Sequence, residues 1–150
     1  MKLIGKLSLI AVAAAFVLAL GSPVCSAQGR HPAYIHALSD LRYARALLQR
    51  PDGGALHQQE KDAVHEIDKA IDEIKKASID DGKDLNSHPP IDTGLNWGGR
   101  LRQALELINK AHDDVSHEED DPHAIGLQQR SLDHIDKARF HVKEAIEIVS

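Results

Sequence analysis

Residues 67–77 read IDKAIDEIKKA and residues 135–145 read IDKARFHVKEA, so one pattern, I-D-K-A-x-x-x-[IV]-K-x-A, occurs twice in the chain. In each copy the apolar positions fall at alternating spacings of four and three, which places them on one stripe of an α-helix and on no face of a strand. The first stripe runs Ala63, Ile67, Ala70, Ile74, Ala77, and the second Ile135, Ala138, Val142, Ala145, Val149. Both are helix-packing seams, and the fold class follows from what surrounds them.

Ahead of the first copy, Tyr34, Leu38, Leu41 and Leu48 share a stripe that opens at the dipeptide His31-Pro32 and stops at PDGG, residues 51–54. Ahead of the second, Trp97, Leu101, Leu105, Ile108, His112 and Val115 share another, and the two stripes contain LRYA (41–44) and LRQA (101–104). Asp121 followed by Pro122 supplies a helix cap and a first-turn proline for the last segment. Between the second and third segments lies DDGKDLNSHPPIDTG, residues 80–94, rich in turn formers. Four amphipathic segments with two matching halves predict an all-α, up-down-up-down antiparallel four-helix bundle built from a duplicated helical hairpin.

This bundle occupies residues 28–150. Residues 1–27 read as a secretory signal peptide: Lys2 and Lys6 form a basic start, Leu7 to Leu20 an apolar run, and CSA at 25–27 a cleavage site. The run is shorter than the roughly 20 residues of a membrane-spanning helix, so no permanent span is expected. Val24 before Cys25 argues against a lipid-anchored start. The expected compartment is therefore the periplasm or the exterior.

Removing residues 1–27 takes away the chain's one Cys and one Met and two of its 18 Lys and Arg, so the mature domain is more acidic than the net −5 of the whole chain. No disulfide is available, and neither Fe–S nor covalently attached haem has an anchor. An acidic domain without a basic run argues against nucleic acid as a partner.

Ten histidines remain as candidate ligands. With the expected helix order, His31, His36, His88 and His141 fall at one end and His57, His112, His117 and His123 at the other, with His65 and His134 between. The richest stretch is HDDVSHEEDDPH, residues 112–123, so the expected metal site is His112, His117, His123 and His57 with Asp113, Asp114 and Glu118. His134 and His141, about 10.5 Å apart along a helix, cannot share an ion with metal–nitrogen bonds of about 2.0 Å. No His-x-x-x-His occurs. His112 is expected beside Gly126, and His65 in solvent.

Catalytic patterns are missing. There is no Glu-x-x-His of a di-iron bundle, DDGKDLN lacks the order of a calcium loop and reads as a turn, and Ser39 and Ser116 have no nucleophile context. Trp97 with Gly94, Gly98 and Gly99 reads as a loop over the bundle end. An enzyme is not expected.

The start HPAYIHALSDLRYARALL (31–48) resembles that of small secreted proteins of soil bacteria with no assigned function. The stretch HIDKARFHVKEAIE (134–147) is similar to repeats of small periplasmic metal-binding proteins, which are histidine-rich four-helix bundles. That resemblance implies binding of copper and other divalent ions. Arg42, Arg45, Arg100 and Arg102 stand where a many-ion sponge would carry ligands. The leading expectation is a bundle binding Zn²⁺, Cu²⁺ or Ni²⁺ with modest affinity. The alternatives are a metal-free structural or adaptor bundle meeting an envelope protein, and an acid-responsive protein whose histidines reverse its charge.

Overall fold

The computed structural model describes residues 32–49, 57–77, 81–117 and 125–150. The expected signal peptide, His31, the PDGG turn, the Asp121-Pro122 helix start, Glu118 and His123 lie outside those residues. The described residues form four helices: α1 (Pro32–Leu48), α2 (Gln58–Lys76), α3 (Trp97–His117) and α4 (Ile125–Val149). Among the described residues there is no strand, and the all-α class is as the seams require. No described helix is long and apolar enough to cross a membrane.

Local chemistry sets the described starts. Before α2, His57 is extended and its N–H donates to Glu60 Oε2 at 2.9 Å, one half of a capping box. Before α3, Asn96 Oδ1 accepts the Gly99 N–H at 2.8 Å, so Gly98 and Gly99 lie in the first helical turn and not in a loop. At the far end of α2 the Ala77 N–H reaches back to Glu73 O and Ile74 O.

The seams pack inward as read. Tyr34, Leu38, Leu41 and Leu48 of α1, Ala63, Ile67, Ala70 and Ile74 of α2, Leu101, Ile108 and Val115 of α3, and Ile135, Ala138, Val142 and Ala145 of α4 are all buried. Ile71, Ala104, Leu107 and Ala111 widen the stripes. Trp97, Leu105, Ala77 and Val149 pack at the margin of this core.

The helix order differs from the sequence expectation. Asp40 of α1 lies beside Lys110 and Asp114 of α3, and Tyr43 Oη accepts a 3.5 Å hydrogen bond from Gln103 Nε2, so α1 and α3 run antiparallel. In the same way Glu73 of α2 meets Arg130 of α4 at 2.8 Å, Glu66 meets His134 at 2.6 Å, and Gln59 meets His141 at 2.9 Å. The beginnings of α2 and α3 adjoin, because Trp97 Nε1 donates to Glu60 Oε1 at 2.9 Å. The topology is therefore up-down-down-up, with neighbours α1–α2–α4–α3 around the ring and α2 parallel to α3 across it.

The cause is the connection between α2 and α3. It starts at one end of the bundle and finishes at the other, so it must travel the length of a helix, about 28 Å for α2 at 1.5 Å per residue. The roughly twenty residues between Lys76 and Trp97 are enough chain to reach much further than that. Arg42 of α1 anchors the connection through a two-pronged ion pair with Asp81, at 2.7 and 2.6 Å. Tyr43 stacks on His88 with ring centroids 6.4 Å apart, and Leu85 and Ile91 pack on the core. Within the expected turn DDGKDLN, the described residues 81–86 are non-helical, and Gly82 has φ +69, a conformation glycine adopts without steric cost.

The two halves are related by an approximate two-fold axis across the helices. Under the repeat, Tyr43 corresponds to Gln103 and Glu66 to His134, and each residue touches its own counterpart, 60 and 68 positions away. Self-contact of equivalent residues is what a two-fold axis through an antiparallel pair produces.

Candidate functional site

Where α1 begins and α3 finishes, the two helices flank an open cavity of about 370 Å³ lined by His36, Ser39, Asp40, Lys110, Asp113 and Asp114. Antiparallel packing of α1 on α3 creates it. His36 and Asp40 lie one turn apart on α1, the spacing at which two side chains reach a common point. Lys110 and Asp114 have the same spacing on α3, and Asp113 adds a third carboxylate.

Burial is the strongest influence on Asp40 and pushes its carboxyl above the usual carboxylate range. The Lys110 charge opposes this, the Asp114 carboxylate adds to it, and His36 opposes it weakly. A raised folded value means that stability is fully present while Asp40 is protonated and is lost as pH rises through that value. Asp40→Asn is accordingly expected to be at least as stable as the parent at pH 7, with the difference vanishing near pH 3. Thermal melts of both proteins across that range check this.

The expected site residues separate. His57 stands at the opposite end of the bundle, stacked on Trp97 with centroids 4.5 Å apart, and cannot join His112 and His117. This correction follows from the direction of α3, which carries His112 and His117 away from the start of α2. His112 is not beside Gly126, where the nearest atom to an added Cβ is Nη1 of Arg130. It faces carboxylates instead, with Nδ1 3.6 Å from Asp113 Oδ1 and Nε2 3.6 Å from Asp136 Oδ1 on α4.

His117 donates from Nδ1 to the Asp113 carbonyl at 2.6 Å. In the neutral ring, a donor at Nδ1 puts the lone pair on Nε2, the form in which imidazole binds metal. Asp113 and Asp114 line the cavity as candidate donors, while Glu118 and His123 lie outside the described residues. His65 is exposed, as read, and His134 and His141 serve α2–α4 packing.

Sequence reasoning missed His36 and Asp40. The signal was there as His-x-x-x-Asp at 36–40, but a search for two histidines at that spacing passes over it. Among the described residues no group of three or more His, Asp or Glu side chains is already gathered tightly enough to hold a metal ion. The donors ring a cavity wider than one ion, and binding would require rotamer changes.

Fold and site together define a class: an all-α bundle with one crossover and an imidazole–carboxylate cavity at one end. No family model, curated protein or solved structure matches the chain.

Proposed function

We propose that this protein is an exported, non-enzymatic helical bundle that binds a divalent transition-metal ion with modest affinity where α1 begins and α3 finishes. One observation carries the reading: His36 and Asp40, a turn apart on α1, face Asp113 and Asp114 of α3 across a cavity. An imidazole with two or three carboxylates is a donor set of the kind that takes Zn²⁺, Ni²⁺ or Cu²⁺. His112 and His117 add imidazoles at the same end, with Glu118 and His123 next in sequence. His57 has no part in it.

Calorimetric titration of the purified protein with ZnCl₂ is expected to give one dominant site in the micromolar range, releasing protons as neutral donors form. His36→Ala with Asp114→Asn should weaken binding at least about tenfold while leaving the circular dichroism of the bundle unchanged. Equal affinity in parent and double variant would remove this cavity from consideration. A structural or adaptor role is the second reading, favoured by Phe140 and Ile148, which are 58% and 62% exposed on α4.

A further inference from the structure

Every large apolar side chain that is exposed among the described residues belongs to α4: Ile125, Phe140 and Ile148. Scattered apolar groups on a surface are ordinary, but the internal repeat supplies a comparison. At an offset of 68, Phe140 and Ile148 correspond to Asp72 and Asp80, and Asp72 is exposed on α2. The same helical position therefore carries a solvated carboxylate in one half of the chain and an aromatic ring in the other.

Phe140 stands about 160° around the helix from both Ala138 and Val142, so it is the centre of the face turned away from the core. Its ring lies edge-on to His141 with centroids 5.5 Å apart, and His141 is itself held by Gln59 at 2.9 Å. The crossover lies against Arg42 and Tyr43 of α1, diagonally across the bundle from α4.

The charges around Phe140 match those of a second copy turned end for end. In an antiparallel pair of α4 helices centred on Phe140, residues equally far before and after it reach the same height. A two-fold axis keeps each flank of one helix against the same flank of the other. Lys137 and Glu144 lie on one flank, about 60° and 40° from Phe140, and Asp136 and Lys143 on the other, at about 40° and 60°. Lys137 of each copy then meets Glu144 of the other, and Asp136 meets Lys143, so opposite charges surround a Phe140–Phe140 contact. Asp136 also holds Arg139 of its own helix at 2.8 Å and is still 57% exposed, which leaves acceptor positions open. Asp133 and Glu147 face each other farther out, about 10.5 Å from the centre, where helices crossed at about 50° have drawn apart.

We propose that the outward face of α4 pairs with the same face of a second copy, antiparallel and centred on Phe140, to form a two-fold dimer. One helix face covers less than the roughly 800 Å² per partner of a standard interface, so the dimer is reversible, with a dissociation constant on the order of tens of micromolar. The cavity between α1 and α3 takes no part in it, and the dimer stands or falls separately from metal binding.

Sedimentation equilibrium of the purified protein in EDTA, from about 1 to about 500 µM, tests this. The parent is expected to pass from monomer to dimer over that range. Phe140→Asp, which puts the side chain of position 72 at the equivalent place in α4, should raise the dissociation constant at least about thirtyfold. Lys137→Glu and Glu144→Lys should each raise it several-fold, and the two together should restore the parent value. Those two residues stand about 10.5 Å apart along one helix, so compensation between them requires two chains. Lys69→Glu, the equivalent charge reversal on exposed α2 surface, is the control and should match the parent.

A parent that stays monomeric throughout would overturn the dimer and leave this face to a different protein. Assemblies larger than a dimer would overturn the closed two-fold pairing. Unchanged association in Phe140→Asp would overturn its placement on α4. A loss in Lys69→Glu equal to that in Lys137→Glu, or a charge exchange that fails to restore association, would overturn the antiparallel register. Circular dichroism confirms the fold in each variant.

Discussion

Replacing Arg42 with alanine is expected to lower the unfolding free energy by about 3–5 kcal/mol, a large part of the roughly 5–15 kcal/mol that holds a domain together. Arg42 is completely buried and the Asp81 side chain is 4% exposed, so removing the guanidinium strands a carboxylate away from water. The reverse change, Asp81→Ala, strands a guanidinium whose Nε already lacks an acceptor among the described residues. Urea unfolding at pH 7 reads both. Joint replacement, Arg42→Met with Asp81→Leu, should recover most of the loss, because two apolar groups of similar volume leave nothing unpaired.

The pair also fixes a pH dependence. Burial is the largest influence on Asp81 and would raise its carboxyl, but the Arg42 hydrogen bonds, the Lys83 N–H and both cationic charges outweigh it. The folded value ends below the ordinary one of about 3.9. A depressed folded value gives stability that is present above the unfolded value and is lost as pH falls through the folded one. The advantage of the parent over Arg42→Ala should therefore hold from neutrality to about pH 4 and shrink below it.

Ile67→Ala and Ile135→Ala are each expected to cost about 2–5 kcal/mol, because each deletes buried apolar surface and leaves a cavity that the surrounding helices only partly fill. Both residues are 0% exposed and stand at the same position of the two repeats. If the approximate two-fold axis relates their surroundings, the two costs should agree to within about 0.5 kcal/mol, and the double variant should show whether the cavities merge. Widely different costs in matched urea titrations would mean that the repeated sequence does not correspond to a repeated environment.

The burial pattern was legible because each seam repeats at spacings of three and four, and a helix that must hide such a stripe has few places to put it. Ile67 and Ile135 are typical: both stand on a seam and both are core. The direction of α3 was not legible, since an amphipathic stripe is equally apolar read upward or downward. The signal lay in the connector between Lys76 and Trp97, which is far longer than the 2–8 residues usual between neighbouring antiparallel helices. Taking it for an end loop puts His57 with His112 and His117, when the chain places them at opposite ends. Of the candidate donors, Asp113 and Asp114 stood out because three histidines mark their stretch. His36 and Asp40 did not, because they become significant only when α3 packs beside α1 in reverse.

The crossover also governs how the chain must assemble. The two most extensive helix interfaces, α2 with α4 and α1 with α3, join helices that are not consecutive, whereas the α1–α2 interface is the smallest of the four. A bundle of successive hairpins forms mostly between neighbours in sequence, but this one closes separations of 60 and 68 residues before its main interfaces form. High contact order slows folding, because the entropy of loop closure precedes the packing that compensates it. The α1–α2 hairpin is thus a poor candidate for an early folding nucleus. The rate-limiting step should instead be the meeting of α2 and α4, when the second half of the chain is already present.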